Sequence, residues 1–215
     1  MNVFEPVVAK LNGEVVSDAF EPQVDGKDKP CRTEEFRTLL KETGFAVLGK
    51  EDWGDPNQAA WQEVGSLDSK GHSEGGKLAR FVDEEIINLV DKIQTMLAYG
   101  WQKIRVVTDH GWLWLPNGLP HVELPGHLTA SKWGRCALVK PGAIHGLPEI
   151  TWFWGNEHSV VVPPGIGVFL KNTEYTHGGV SLQECLKVHL TICNQGKPVG
   201  QVKIVEVKWT RLRLV

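Results

Sequence analysis

Apolar side chains recur at three- and four-residue intervals between Glu74 and Tyr99. This spacing places them on one face of an α-helix, and Gly100 supplies the stop signal. The stripe consists of Leu78, Phe81, Val82, Ile86, Leu89, Val90, Ile93, Met96 and Leu97. The pattern therefore predicts a long amphipathic helix that ends at Tyr99.

Two shorter elements are predicted upstream of this helix. Residues Arg32–Thr43 read as a helix that ends at Gly44, and Phe45–Leu48 reads as a short buried strand. They lie in a region, residues 1 to about 55, that is otherwise mixed in character and contains turn-rich patches.

A run rich in β-branched residues, Lys103–Thr108, follows the long helix directly. A long helix that leads into such a strand is typical of the second half of a βαβ unit. We therefore expect an α/β fold with a mostly parallel sheet flanked by helices. Asp109 and His110 come at the carboxyl end of this strand, which is where open α/β sheets bind ligands.

The segment after this strand shows no long helix or strand pattern. Residues 111–158 are rich in proline and tryptophan and predict a loop-rich insertion or cap. Its tryptophans either line a substrate cleft or pack the insertion against the core, and packing is the favoured interpretation. They are Trp112, Trp114, Trp133, Trp152 and Trp154.

Beyond the insertion, short strands are expected at 159–162, 167–170 and 188–193, with a short helix at 181–186 and a terminal hairpin at 202–207 and 212–215. This organisation divides the chain into a core domain, residues 1–193, and a C-terminal β extension, residues 194–215.

Composition narrows the function classes. The chain has 215 residues, of which 41% are hydrophobic and 23% charged, and this is typical of a soluble globular domain. A net charge of −3 argues against a wholly basic nucleic-acid-binding domain, although bound cations would still allow a phosphate ester as substrate.

No apolar run reaches the length of a membrane span and the N-terminus lacks a signal peptide, so a cytoplasmic protein without a membrane partner is expected. The four cysteines form no CxxC pair and are predicted to be reduced.

Three short stretches each place a histidine beside glycine in a turn: Leu67–His72, Val106–Gly111 and Glu174–Gly179. Imidazole and carboxylate together suit zinc or manganese. A single Asp-His pair is more often a helix cap or a surface hydrogen bond, but three such stretches in this order, with a strand before the second, predict a metal site. The predicted ligands are Asp68, His72, Asp109, His110 and His177.

An Asp-x-x-x-His motif, a strand ending in Asp-His-Gly and a later His-Gly resemble the metal ligands of the alkaline phosphatase superfamily. Within this superfamily, the sequences of residues 107–140 and 174–192 resemble the PglZ domain of bacterial phage-defence systems of the BREX type. The resemblance extends from about residue 20 to the C-terminus. It implies an alkaline-phosphatase-like fold and two divalent metal ions, with zinc as first choice and manganese as the alternative.

By motif, the resemblance assigns Asp68, His72 and His177 to one metal ion and Asp109 and His110 to the other. The superfamily also requires an aspartate and a Ser or Thr nucleophile upstream of Asp68. The nearest match here is Val16–Ala19, containing Ser17 and Asp18, and a surface turn is its favoured interpretation. We therefore expect a chain truncated at the N-terminus, a fragment without its nucleophile that is poorly active or inactive alone.

Two functions remain open at this point. The first is a metal-dependent phosphoesterase, either a phosphatase or a phosphodiesterase/nuclease, that acts on a phosphate ester or nucleic acid alongside other phage-defence subunits. The second is a non-catalytic interaction module that docks those subunits. Lys132 and Arg135 are candidates for phosphate contact or belong to a solvated loop.

The remaining conspicuous side chains have no partners at ligand spacing or lie beside the predicted site. Glu174 and Tyr175 precede His177 and are candidates to orient it. Five histidines are predicted to lie on the surface or in packing positions: His121, His127, His145, His158 and His189.

Overall fold

The fold was analysed in a computed structural model that describes residues 11–15, 22–27, 29–127, 129–140, 142–151 and 159–194. Its helices are α1 (Thr33–Glu42), α2 (Leu67–Glu74), α3 (Ala79–Tyr99) and α4 (Leu182–Cys185). A single 3₁₀ turn, Gly75–Lys77, connects α2 to α3. None of these helices is long and apolar enough to cross a membrane.

The strands are short and form several small sheets. In chain order they are β1 (Leu11–Val15), β2 (Pro22–Val24), β3 (Ala46–Leu48), β4 (Ala60–Gln62), β5 (Lys103–Val107), β6 (Leu113–Trp114), β7 (Thr129–Lys132), β8 (Ala137–Val139), β9 (Glu149–Thr151), β10 (Ser159–Val161), β11 (Tyr175–Thr176) and β12 (His189–Cys193). The prediction of an α/β chain is confirmed at this coarse level.

The N-terminal part of the described chain packs around α1. Leu39 and Leu40 on this helix are buried together with Val24. The helix ends where predicted, because Gly44 adopts a φ of +91° that is unfavourable for other residues. The predicted strand over residues 45–48 is also present as β3, which pairs in parallel with β4.

The predicted long helix begins five residues later than expected, at Ala79 rather than at Glu74. Residues 67–74 form the separate helix α2. The break lies at Gly75 and Gly76, where the Glu174 carboxylate accepts a hydrogen bond of 2.8 Å from the Gly76 amide. A Cβ atom on Gly75 would lie 2.7 Å from the same carboxylate, so the glycines permit this approach. At its other end α3 stops as predicted, at Gly100 with a φ of +119°.

The expectation of a mostly parallel sheet is not what the described residues show. Among the described strands, β5 pairs with β12 in antiparallel register, with Lys103 opposite Cys193 and Val107 opposite His189. Only β3 and β4 form a parallel strand pair in this part of the chain. A helix followed by a strand fixes neither the partner nor its direction, because the partner here arrives more than 80 residues later along the chain.

The predicted insertion contains its own small sheet. Strands β7, β8, β10 and β9 lie side by side in that order and pair antiparallel. Leu124, Ala137, Val161 and Phe169 form a buried cluster beneath them. This sheet spans residues 129–161 and so continues past residue 158, where the insertion was predicted to end. Residues 167–170, predicted as a strand, contribute only an isolated bridge between Val168 and His121.

Several predictions fall on residues outside the described ranges. They concern Ser17, Asp18, Trp152, Trp154, His158 and the extension over residues 195–215.

Candidate metal centre

Helix α2 presents the first two predicted ligands on one face. Asp68 lies in its first turn and His72 one turn later, and residues four apart in a helix are neighbours on its surface. The distance from Asp68 Oδ1 to His72 Nε2 is 3.7 Å. Both side chains are about half exposed, so the two donor atoms point into an accessible site.

His177 reaches the same place from a distant part of the chain. It follows β11, which is held by antiparallel pairing with β6. Its Nε2 atom lies 3.1 Å from His72 Nε2 and 3.3 Å from Asp68 Oδ1. Two donor atoms from α2 and one from a residue more than 100 positions later are thus gathered within 3.7 Å of one another.

His110 joins this cluster through the loop after β5. Its ring stacks on His177 with a centroid separation of 4.1 Å and an interplanar angle of 17°. Its Nδ1 atom lies 2.9 Å from the Gly111 carbonyl oxygen, which only accepts hydrogen bonds, so Nδ1 carries the proton and Nε2 is free to bind a metal. Ligand atoms of Asp68, His110 and His177 all lie within 4.8 Å of one another.

Asp109 stands at the edge of the cluster. Its side chain is 84% exposed, and Oδ1 accepts a hydrogen bond of 2.9 Å from the His110 amide. The same oxygen is 3.8 Å from His110 Nε2. The structure therefore brings four of the five predicted ligands together and places Asp109 beside them, while a separate second metal ion stays a prediction.

The surroundings keep the central histidine neutral. Burial lowers the pKa of His177, and the neighbouring His110 adds to this effect against the opposing pull of Asp68. Neutral imidazole is the form that binds metal ions. His177 is therefore in a suitable state for a ligand at neutral pH.

Tyr175 has a role that the sequence did not reveal. Its hydroxyl donates a hydrogen bond of 2.9 Å to Asp68 Oδ1, although its position in the sequence suggested a contact with His177. Burial and then the hydrogen bond to Asp68 raise the pKa of Tyr175, so the phenol keeps its proton. Glu174 also differs from expectation, because it holds the turns at Gly76 and Asn117 through their amides.

Arg135 is not available for phosphate contact. Its side chain is only 1% exposed, and its Nε and Nη2 atoms donate to the two carboxylate oxygens of Glu184 at 2.9 and 2.8 Å. Nη2 also donates to the Gly165 carbonyl. A buried guanidinium held in this bidentate way is structural, which corrects the predicted substrate role. Lys132 lies in β7, and its side chain is outside the described part of the molecule.

Glu184 links this buried pair to the cluster. Its carboxylate accepts hydrogen bonds from the amides of Gly179 and Ser181, which belong to the loop just after His177. Its backbone carbonyl accepts a hydrogen bond of 2.8 Å from the Gly111 amide, in the loop that carries His110. A single residue of α4 therefore fixes two of the loops that present ligands.

Acid is expected to weaken the fold through Glu184. Burial opposes its ionisation, but hydrogen bonds from Arg135, Ser181 and Gly179 outweigh burial and hold the pKa of this carboxyl below its ordinary value. The unfolded chain then binds the proton more tightly, so this stabilisation is present above about pH 4.3 and is lost as the pH falls through the lower folded pKa.

The measurement is the free energy of unfolding by urea between about pH 7 and about pH 3. It should fall with pH in the wild type and fall less steeply in Glu184→Gln. Parallel slopes in the two proteins would show that Glu184 does not contribute to this dependence.

No protein-family model, curated protein or solved structure matches the chain at a significant level. The functional conclusion therefore rests on the chemistry of the cluster.

Proposed function

We propose that this chain is a metal-dependent phosphoesterase domain of the PglZ type, with an alkaline-phosphatase-like core. The proposal is carried by the convergence of Asp68, His72 and His177, with His110 stacked beside them. These residues come from the three stretches that the resemblance identifies as ligand-bearing. Its substrates would be phosphate esters, including nucleic acid.

The donor set fits a divalent transition metal ion. Two imidazole nitrogens and one carboxylate oxygen, separated by 3.1, 3.3 and 3.7 Å, face one another. An ion such as zinc, with four ligands at about 2.0–2.1 Å, keeps its ligand atoms about 3.3 Å apart in a tetrahedron. Asp68, His72 and His177 would therefore occupy three corners. A ligand nitrogen of His110 lies within 4.8 Å of the ligand atoms of Asp68 and His177. The Nε2 atom of His110 lies 3.8 Å from Asp109 Oδ1, so these two residues would hold a second ion.

Such an ion, when bound, supplies Lewis acidity that polarises a phosphoryl oxygen and lowers the pKa of bound water. The residues of the chain hold and orient it. The exposure of Asp68 and His72 leaves the site open to a substrate, and the neutral state of His177 removes the need to displace a proton on binding.

A non-catalytic interaction module is the second candidate function. It is supported by α3, on which Ile86, Ile87 and Val90 are 52%, 59% and 44% exposed. Exposed apolar patches mark contact surfaces in many soluble proteins. Under this alternative the metal centre is structural, and α3 contacts another subunit of the defence system.

Metal content and affinity test the proposal first. We expect the purified chain to bind zinc or manganese at about one ion per chain, measured by plasma mass spectrometry and calorimetric titration. Asp68→Ala and His177→Ala should each lose this binding, because each removes one of three converging ligands. His127→Ala serves as control, since this exposed histidine lies in a turn of the insertion. Absence of binding in the wild type would contradict the proposal.

Hydrolysis separates the two candidate functions. Metal-dependent release of nitrophenol from mono- and bis-nitrophenyl phosphate, lost in Asp68→Ala, would support the phosphoesterase. Tight metal binding without hydrolysis, also after addition of a protein segment that supplies a nucleophile, would favour the interaction module.

A further inference from the structure

We infer that Tyr175 is a positioning residue. It determines the orientation of the Asp68 carboxylate and the position of helix α2 in the metal centre. The inference rests on the proposed metal centre and concerns how its ligands are held. It is supported by two independent sets of contacts, one from the hydroxyl and one from the ring.

The hydroxyl contacts the oxygen that faces the other ligands. Tyr175 donates to Asp68 Oδ1 at 2.9 Å, and this same oxygen lies 3.3 Å from His177 Nε2. The Asp68 side chain is 53% exposed, so packing alone leaves its rotation free. A carboxylate oxygen has two lone pairs, and a hydrogen bond to one of them orients the other toward the ion.

The ring contacts the backbone of α2 between its two ligands. Tyr175 is 5% exposed, and a Cβ atom on Gly71 would lie 2.4 Å from its ring. Only a glycine at this position lets the ring touch the helix so closely. The ring also meets the imidazole of His72 edge-on, with a centroid separation of 5.1 Å.

Strand β11 fixes the position of the Tyr175 ring relative to His177. Tyr175 belongs to β11, which pairs with β6. Tyr175 contacts Asp68 and Gly71 of α2. His177 Nε2 lies 3.1 Å from His72 Nε2, so the side chains of Tyr175 and His177 both face α2. One side chain thereby sets the separation between His177 and the two ligands of the helix.

Tyr175→Phe tests the role of the hydroxyl, because it removes the hydrogen bond and keeps the ring. Titration with Co²⁺, followed by its visible absorption, and competition with Zn²⁺ should show an affinity about 10–100-fold below the wild type. The Co²⁺ spectrum should change as the Asp68 ligand loses its orientation, while the Tm of the metal-free protein stays nearly constant. Tyr99→Phe is the matched control, since Tyr99 is the other tyrosine of the chain and is 56% exposed at the end of α3.

Gly71→Ala tests the role of the ring separately. The added Cβ must displace the ring or the helix, so the affinity for Co²⁺ should fall even though every ligand and the hydroxyl remain. Wild-type affinity and an unchanged Co²⁺ spectrum in Tyr175→Phe would overturn the inference. A lower affinity of Tyr175→Phe that is accompanied by a marked fall in the Tm of the metal-free protein would also overturn it, because that result indicates a purely structural role. Failure of the wild type and Tyr99→Phe to bind Co²⁺ would instead refute the metal centre itself.

Discussion

Glu184→Ala is expected to destabilise the protein by about 3–5 kcal/mol, because it leaves the Arg135 guanidinium buried without its counter-charge. Both side chains of this pair are 1% exposed, and the two hydrogen bonds between them are 2.8 and 2.9 Å long. A buried charge that loses its partner cannot recover its hydration, so the loss exceeds the value of the pair itself. A loss of this size is a large part of the 5–15 kcal/mol that usually stabilises a domain.

Urea unfolding followed by tryptophan fluorescence measures this effect. Glu42→Ala is the matched control, because Glu42 forms an ion pair with Lys27 whose side chains are 43% and 47% exposed, and exposed pairs contribute little. The double variant Arg135→Met, Glu184→Leu should recover much of the lost stability, since it removes both charges from the interior. A midpoint for Glu184→Ala equal to that of Glu42→Ala would contradict the buried pair.

Glu184→Ala should also weaken metal binding. The Glu184 carboxylate accepts the Gly179 amide, two residues after His177, so its loss frees the loop that positions this ligand. The double variant restores stability but not this hydrogen bond. We therefore expect it to fold well and still bind metal less tightly than the wild type, which separates the two contributions of Glu184.

Gly111→Ala is expected to destabilise the protein by about 3 kcal/mol through a clash with α4. A Cβ atom on Gly111 would lie 1.9 Å from the carbonyl oxygen of Gln183, and a backbone atom has little freedom to move away. Gly111 does not adopt a positive φ, so the clash alone is responsible. Relief of the clash would also separate the Gly111 amide from the Glu184 carbonyl, and His110 would move with it.

The measurement is again the free energy of unfolding, with metal affinity determined in parallel. Gly49→Ala is the control, because no atom lies within 4 Å of the Cβ that it would add and its φ is not positive. This control should be neutral or slightly stabilising, as alanine restricts the unfolded chain. Wild-type stability for Gly111→Ala would show that α4 does not pack on this loop as described.

Both expectations concern α4, a helix of only four residues. Helices this short do not form by themselves, so its position depends on tertiary contacts. Those contacts are the buried Arg135 side chain and the loops after His110 and His177. We therefore expect the cluster of Asp68, His72, His110 and His177 to be sensitive to changes in residues outside it.

The sequence predicted helices and strands well where the spacing of apolar residues and a terminal glycine are sufficient to define them. The helix before Gly44, the strand after it and the end of the long helix at Gly100 all lie where the pattern placed them. It placed the start of the long helix at Glu74, whereas the helix begins at Ala79. The two glycines that follow Glu74 precede the apolar stripe, and glycine only weakens a helix, so the position of the turn depends on Glu174, a residue about 100 positions away.

The candidate site was also foreseen in part. The sequence placed Asp68 and His72 in a turn, whereas the structure places them on one face of helix α2, where residues four apart are neighbours. The meeting of this face with His177 and His110 was expected from the resemblance and the glycine-flanked turns. Nothing in the sequence indicated that Tyr175 would contact Asp68, or that the Arg135 charge would be buried against Glu184, 49 residues away.

The sequence by itself determined which residue types occur in which order, and therefore which short segments are helical or extended and which side chains are suited to a metal ion. The tertiary structure alone decided that β5 pairs antiparallel with β12, that His110 stacks on His177, and that Arg135 is buried. The physical reason is the range of the interactions. Hydrophobic periodicity acts over a few neighbouring residues, whereas strand pairing and the burial of a charge depend on partners that are distant in the chain.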